Sequence, residues 1–295
     1  MGRKGTQTSS FGTSGREGHD SSKFYDSRLY QELAVPTNTS ASEGSVQQVN
    51  VLYTQDSRQM DEIPDDSIHL MVTSPPYNVG KEYDEDLSLE EYRELLRDVF
   101  AETYRKLVPG GRACVNVANI GRKPYMPLHS FIIADMLDIG YLMRGEIIWD
   151  KDASSGTSCA WGSWKSASNP TLRDVHEYIL VFSKAQYNRI KEHREDTIDR
   201  DQFLEYTKSI WRFPTVSARH IGHPAPFPVE LPARLIQLYT FAGDVVLDPF
   251  CGSGQTCIAA IAAGRHYIGY DIEPEYIKLA EGRIAEYTKS APADY

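Results

Sequence analysis

The sequence predicts an α/β fold with a doubly wound, mostly parallel sheet, on the evidence of two patterns. Short apolar runs of strand length alternate along the chain with amphipathic segments of helix length, which is typical of a parallel sheet covered on both faces. Near the C-terminus, "VVLDPFCGSGQTCIAAIAAG" (245–264) joins an apolar strand to a small-residue helix through a glycine-rich turn. Such a turn favours a doubly wound sheet with a ligand at its edge.

The first half of the chain predicts five strands and two helices. The strands are expected within 45–56, 67–74, 112–120, 142–151 and 176–184, and the helices within 87–111 and 127–140. In the first helix, Ser88 and Glu91 are spaced as a capping box, and Pro109-Gly110-Gly111 is expected to end it.

The second half predicts three helices and two strands. The helices are expected within 228–241, 255–264 and 274–288, and the strands within 245–250 and 266–272. Gly264 would close the second of these helices, and Pro274 would lie in the first turn of the last one. Residues 184–209 are polar and lack a clear period, which predicts an insertion or a mobile lobe.

Composition limits the class of protein. No run of about 18 apolar residues occurs, and the Gly/Ser/Thr-rich N-terminus lacks the apolar stretch of a signal peptide. The four cysteines lack the CxxC spacing of zinc or redox sites, so we expect reduced thiols, no metal and a cytoplasmic location. A net charge of −10 argues against a protein that coats nucleic acid by charge alone, although residues 121–234 are close to neutral.

The glycine-rich turn predicts a nucleoside site. Asp271 closes the next strand, 23 positions after Asp248, where a carboxylate can hold a ribose diol. The turn is not G-x-G-x-x-G, and it lacks the lysine of a P-loop. A carboxylate at Asp248 would repel a pyrophosphate but could accept hydrogen bonds from an ammonium, which favours S-adenosylmethionine over NAD. The alternative is that both aspartates only cap helices.

A second motif, "TSPPYN" (73–78), follows directly on a predicted strand. Pro75 and Pro76 fix the backbone and donate no hydrogen bond, so they end the strand in a stiff loop. The loop could simply end the strand. It could also hold hydrogen-bond acceptors and the ring of Tyr77 at fixed positions for a flat ligand.

Together, "TSPPYN" and "DPFCGSGQT" resemble the amino-methyltransferases of DNA, and most of all the cytosine-N4 members of their beta group. The resemblance runs from about residue 48 to 288. It implies a Rossmann-like methyltransferase fold with permuted motif order, in which the strand before "TSPPYN" lies next to "VVLD". Ligands bind beyond the carboxyl ends of such neighbouring strands, so the two loops should share one cleft.

The resemblance also implies an organisation and a set of site residues. Residues 1–22 are expected to form a disordered leader because they are rich in Gly, Ser and Thr and lack periodicity. The resemblance divides the rest of the chain into a catalytic half (23–184), a target-recognition insertion (185–222), a cofactor-binding half (223–288) and a tail (289–295). Catalysis is expected at Ser74, Pro75, Pro76 and Tyr77. Cofactor contacts are expected at Asp56, Pro226, Phe227, Asp248, Phe250, Cys251, Gly252, Ser253, Gly254, Thr256 and Asp271.

The expected chemistry follows from the weak nucleophilicity of an exocyclic amine. Acceptors on the Ser74 side chain and the Pro75 carbonyl would hold the two amine hydrogens and stabilise the positive charge that grows on nitrogen. The base must leave the duplex, and Tyr77 would stack on it.

Contacts with double-stranded DNA are expected from aromatic and basic residues between the two halves. The candidates are Trp161, Trp164, Lys165, Arg173, Arg189, Arg194 and Arg219. For the two tryptophans, the alternative is that they fill a hydrophobic gap under a long loop. The sequence leaves both a monomer and a homodimer open.

The predicted function is therefore S-adenosylmethionine-dependent methylation of cytosine N4 at a specific DNA site, in a restriction-modification context. Adenine N6 is the nearest alternative. An RNA or protein-amine methyltransferase, a catalytically idle binding module and a dehydrogenase are further alternatives, and the intact motif residues and the glycine spacing argue against the last two.

Overall fold

The computed structural model describes residues 43–76, 87–121, 124–151, 162–216 and 227–290. Within them, eight strands form one sheet: β1 (Val51–Thr54), β2 (Ile68–Thr73), β3 (Leu107–Val117), β4 (Tyr141–Asp150), β5 (His176–Lys184), β6 (Ile210–Arg212), β7 (Val245–Asp248) and β8 (His266–Asp271). The helices are α1 (Leu89–Lys106), α2 (Leu128–Ile139), α3 (Arg200–Tyr206), α4 (Glu230–Tyr239), α5 (Gln255–Ala262) and α6 (Pro274–Ser290). Among these helices, none is both long and apolar enough to cross a membrane.

The sheet has the order β1-β8-β7-β2-β3-β5-β4-β6. All neighbours are parallel except the two pairs that include β5, which runs antiparallel to both β3 and β4. The predicted doubly wound, mostly parallel sheet is confirmed. Strand β7, late in the sequence, lies between β8 and β2, and Leu70 and Met71 of β2 pair with Val246 and Leu247.

Side chains alternate between two apolar layers because successive strand residues point to opposite faces. Met71 packs in the layer that contains residues of α1 and α2, whereas Leu70 and Val72 pack in the layer that contains residues of α4 and α5. Both faces of the central strands are therefore buried, as a parallel sheet requires.

Helix α1 begins as the sequence predicts and ends earlier. The Ser88 side chain accepts a hydrogen bond from the Glu91 amide, and the Glu91 side chain accepts one from the Ser88 amide, so the capping box is confirmed. The helix ends at Lys106, and β3 starts at once with Leu107 rather than after Gly111. Residues 109–111 lie in β3 where its register with β2 shifts, so a proline and two glycines expected to end a helix form an irregular strand start.

Residues 185–222 were expected to form a target-recognition insertion, and the described part of this segment also contributes to the sheet. Strand β6 pairs with β4 and extends the sheet. Trp211 is fully buried, and its indole nitrogen donates to the Tyr206 carbonyl at 3.1 Å. A strand of three residues is too short to show an alternating pattern in the sequence. Its place in the core becomes visible only from its pairing with β4.

We expect Trp211→Ala to lower the free energy of unfolding by about 3–5 kcal/mol, because a large side chain leaves a fully buried site. Ile210→Ala is the matched control: Ile210 is the next residue and 60% exposed, so its replacement should change stability by less than about 0.5 kcal/mol. Urea unfolding of both variants measures the difference. Equal effects would contradict the placement of β6 in the core.

Candidate active site

The two sequence motifs meet at the carboxyl edge of the sheet. Strands β2 and β7 are parallel neighbours, so the loops that follow them leave the sheet side by side. The Thr73 hydroxyl donates a 2.7 Å hydrogen bond to Asp248 Oδ1, across 175 residues of sequence. The predicted adjacency of the two loops is confirmed within one chain.

A cleft opens where these loops meet, and residues from both line it. Ser74 and Pro76 contribute from the first motif, and Phe250 and Gly252 from the glycine loop. Asp271 at the end of β8 and Asp56 after β1 complete the set of predicted residues along the cleft. Pro75 itself is buried, between two positions that are partly exposed.

Asp271 is held by backbone amides at the edge of this cleft. Its two carboxylate oxygens accept from the amides of Gly252, at 2.9 Å, and Glu273, at 3.0 Å. Burial raises the pKa of Asp271, and the two amides act in the opposite direction. One carboxylate thus fixes the glycine loop and faces the cleft, which is the arrangement needed to hold a diol.

Asp56 lies in a different environment, although it lines the same cleft. The Arg58 guanidinium donates to both of its carboxylate oxygens, with Nε–Oδ2 at 2.8 Å. These hydrogen bonds hold the pKa of Asp56 below its usual value. Arg58 was not among the predicted residues, and nothing in its spacing distinguishes it from other surface arginines.

Asp248 lies beneath the loop rather than on the surface of the cleft. Its side chain is 2% exposed, and Oδ1 accepts from both the Thr73 hydroxyl and the Phe250 amide. Burial raises the pKa of Asp248 to about 6, against the effect of these donors. Direct contact between Asp248 and a ligand stays a prediction.

Close packing explains the glycines around this loop. Gly254 has φ +76, and a Cβ there would lie 3.0 Å from the Ala280 Cβ. At Gly269 of β8, a Cβ would lie 2.6 Å from Leu52 and 3.0 Å from Cys251. The loop therefore rests directly on β8.

The other predicted loop residues support the cleft from below. The side chains of Cys251, Ser253 and Thr256 are 4%, 3% and 1% exposed. Cys114 and Cys257 are buried and free, as is Cys251, whereas Cys159 lies outside the described residues. Direct contact between a ligand and Cys251, Ser253 or Thr256 stays a prediction.

Two polar residues that the sequence did not single out connect the segment before α4 to the glycine loop. The Gln255 side chain donates to the Phe227 carbonyl at 2.8 Å, and Arg283 of α6 donates to Gln255 Oε1 at 2.8 Å. Arg283 also donates to the Ser253 carbonyl. Phe227 is therefore held beside the start of α5, and its expected contact with the cofactor stays a prediction.

Apolar side chains form one side of the cleft, and sequence reasoning missed them as site residues. Leu95 and Val99 of α1 line it together with Ile272 and Tyr276. In the sequence, the two α1 residues belong to an ordinary amphipathic pattern. Only the packing of α1 against the carboxyl edge distinguishes them.

The predicted DNA contacts divide into two groups. Trp164, Lys165 and Arg173 lie on the segment that leads into β5, and β5 starts at the carboxyl edge because it is antiparallel to β3. Trp164 is 64% exposed, with Lys165 Nζ 5.6 Å from its ring centroid. Exposure excludes the alternative in which Trp164 fills a hydrophobic gap.

Arg189 and Arg194 are corrected, because both pair with carboxylates at the opposite edge of the sheet. Arg189 is 6% exposed and pairs with Asp244, the residue immediately before β7. Arg194 donates to both oxygens of Glu43 at 3.0 Å. This is the amino edge, away from the cleft, so neither guanidinium is placed to contact DNA there. Tyr77, Trp161, Arg219 and Pro226 lie outside the described residues.

The chain matches a known protein family over most of its length. The model of the N6 and N4 DNA methylase family matches residues 68–282, which include both motifs. The chain belongs to this family of DNA methylases. The match begins at β2 and ends within α6, so it covers the parallel core of the sheet described above.

Individual relatives are similar over most of their length. The type II methyltransferase M.MjaI of Methanocaldococcus jannaschii is 31% identical over 281 residues, covering 81% of this chain and 92% of the relative. The DNA adenine methyltransferase YhdJ of Escherichia coli K12 is 29% identical, covering 77% of this chain and 79% of the relative.

Solved structures agree with the fold. A Thermus thermophilus protein assigned as a DNA modification methylase is 31% identical and covers 81% of this chain and 96% of its own, with a TM-score of 0.67. The same protein has been solved in complex with S-adenosyl-L-methionine. The cytosine-N4-specific PvuII DNA methyltransferase has a TM-score of 0.64 at 21% identity, with 82% of this chain and 92% of that chain covered, and supports the fold alone.

We expect Gly269→Ala to destabilise the protein by about 1–3 kcal/mol, because the new methyl group would displace Leu52 or Cys251. Gly282→Ala is the control, since no neighbouring atom lies within 4 Å and alanine favours the helix by roughly 0.5–1 kcal/mol. Thermal unfolding measures both. A neutral Gly269→Ala would show that the loop does not depend on this close approach.

Proposed function

We propose that this DNA amino-methyltransferase transfers a methyl group from S-adenosylmethionine to N4 of cytosine in duplex DNA, as the modification enzyme of a restriction system. One observation carries the proposal: the Ser74 loop and the glycine loop line a single cleft. One loop can hold the acceptor amine while the other holds the donor, so transfer can be direct.

The cleft fits S-adenosylmethionine in its chemistry. Asp271 presents a carboxylate for the ribose hydroxyls, and Asp56 presents an ionised carboxylate for the adenine amine. The apolar side chains from α1 and Ile272 suit the flat base. Asp248 and the Phe227 segment lie next to the loop expected to receive the methionine end. When bound, the cofactor supplies a methyl group activated by a sulfonium.

The chain itself activates the acceptor. The Ser74 side chain and the Pro75 carbonyl accept the two amine hydrogens, which draws the nitrogen lone pair out of conjugation with the ring. Pro75 and Pro76 hold these acceptors rigid, so their alignment costs little reorganisation during the reaction. As the nitrogen gains positive charge, the same acceptors stabilise it.

The target base reaches this loop only outside the duplex. Unstacking costs a few kcal/mol, and stacking on the ring of Tyr77 would offset part of that cost. On the same edge of the sheet, exposed Trp164 with Lys165 and Arg173 forms the proposed contact with the DNA backbone.

The choice of base rests on Ser74. The motif Ser-Pro-Pro-Tyr is associated with cytosine N4 in the family that the sequence resembles, which favours cytosine. Adenine N6 is the second candidate, and it is favoured by the similarity to YhdJ, a DNA adenine methyltransferase. Both bases offer an amine beside an unprotonated ring nitrogen, so the same loop chemistry serves either.

Expression in a host without DNA methylation distinguishes the two bases. Sequencing that host's DNA by a method that separates 4-methylcytosine from 6-methyladenine should show 4-methylcytosine at one short site. Detection of 6-methyladenine instead would select the second candidate. Unmethylated DNA from cells containing folded, cofactor-binding protein would contradict both.

We expect Ser74→Ala to lower the methyl-transfer rate by about 10²-fold, because one acceptor of the amine is lost at the reacting atom. Affinity for S-adenosylmethionine, measured by calorimetry on the same preparation, should stay within about twofold of the wild type. A large loss of cofactor affinity would place Ser74 in the donor pocket rather than at the acceptor.

We expect Asp271→Ala to weaken S-adenosylmethionine binding by about 10- to 100-fold, because a charged hydrogen-bond partner of the ribose and of the Gly252 amide is removed. Glu275→Ala is the matched control, since Glu275 is an exposed acid of α6 outside the cleft. Unchanged affinity in Asp271→Ala would move the ribose contact elsewhere.

A further inference from the structure

We propose that Thr73 is a positioning residue for methyl transfer, because its hydroxyl connects the start of the Ser74 loop to the carboxylate beneath the glycine loop. Thr73 is the first residue of the motif "TSPPYN", and no role was expected for its side chain. The inference rests on the proposed function, since it concerns how the two halves of the same cleft are held together.

The contact is buried and specific. Thr73 is 0% exposed and Asp248 is 2% exposed, and their oxygens lie 2.7 Å apart. A second hydroxyl contacts the same end of β2: Thr256 Oγ1 of α5 is 3.4 Å from the Val72 carbonyl. Two threonines, one from each motif, therefore connect β2 to β7 and to α5 just below the cleft.

A buried carboxylate needs such donors to remain ionised. Without them, removal from water favours the neutral acid, and burial is the largest influence on the pKa of Asp248. Among the groups that lower this pKa, the Thr73 hydroxyl acts most strongly, followed by the Thr256 hydroxyl and the Phe250 amide. The net result is a pKa of about 6, so Asp248 is mainly ionised at neutral pH.

The other titratable groups facing Asp248 do not replace this effect. Asp271, from the end of β8, raises the pKa of Asp248 through its negative charge. Cys251 in the loop and Cys257 in α5 are buried, which raises the pKa of both thiols and keeps them neutral.

Loss of the Thr73 hydroxyl should therefore have two linked consequences. The carboxyl group of Asp248 would take up its proton at higher pH, so less negative charge would lie beneath the loop that is expected to receive the ligand ammonium at neutral pH. The end of β2 would also lose its hydrogen bond to β7, which frees the Ser74 loop relative to the glycine loop. A residue that only fills space would not alter the pH dependence.

The test compares Thr73→Val, which keeps the shape and removes the donor, with Thr73→Ser, which keeps the donor. Calorimetry measures S-adenosylmethionine affinity from acid to mildly alkaline pH. In the wild type, affinity should fall as pH drops through about 6.

In Thr73→Val this midpoint should rise by about one to two pH units, with binding about two- to tenfold weaker at neutral pH. Thr73→Ser should restore the wild-type midpoint, and Asp248→Asn should bind weakly at every pH.

A measurement on the unmutated protein without ligand gives an independent result. Carbon-13 NMR should show the Asp248 carboxyl titrating near pH 6, assigned by its absence in Asp248→Asn, and the Thr73 resonances should move with the same midpoint. The inference is overturned if Thr73 does not follow Asp248, if Thr73→Val keeps the wild-type midpoint, or if Thr73→Ser behaves like Thr73→Val.

These outcomes separate the inference from the function on which it rests. A wild-type protein that binds no S-adenosylmethionine at any pH would overturn the proposed function. A wild type that binds the cofactor and methylates DNA, with the same pH midpoint in Thr73→Val, would overturn the role of Thr73 alone.

Discussion

The parallel pairing of β2 with β7 is the constraint on which the site depends. Two motifs 175 residues apart are useful only if the strands before them end at the same edge, side by side. The pairing of Leu70 with Val246 and of Met71 with Leu247 fixes that register. Each strand inserted between β2 and β7 would move the two loops about 5 Å further apart. Groups held by the two loops would then be too far apart for direct methyl transfer.

Three carboxylates at this edge show how environment sets the role of one chemical group. Asp56 is paired with an arginine and is ionised, Asp271 is held by two backbone amides, and Asp248 is buried on hydroxyl donors. The first two face the cleft, where charge can meet a ligand directly. The third lies beneath it, where its ionisation depends on the donors that the fold supplies.

The sequence was sufficient for features that depend on local chemistry. The Ser88–Glu91 capping box and the glycine-rich turn carry their signals within a few residues, and the resemblance of the two motifs predicted that β2 and β7 are neighbours. Features that depend on distant partners were missed. Arg189 reads as a surface cation until Asp244 is placed beside it, and the three residues of β6 acquire a pattern only when paired with β4.

The permuted order of the strands has a consequence for biosynthesis. A ribosome delivers β2 and β3 early, yet β7, which belongs at the centre of the sheet, emerges after most of the polypeptide has been made. Strand β1 must wait still longer, because its partner in the sheet is β8. The nascent chain would thus hold an exposed sheet edge at β2 until late in translation, and the donor half of the cleft is completed only when β8 leaves the exit tunnel.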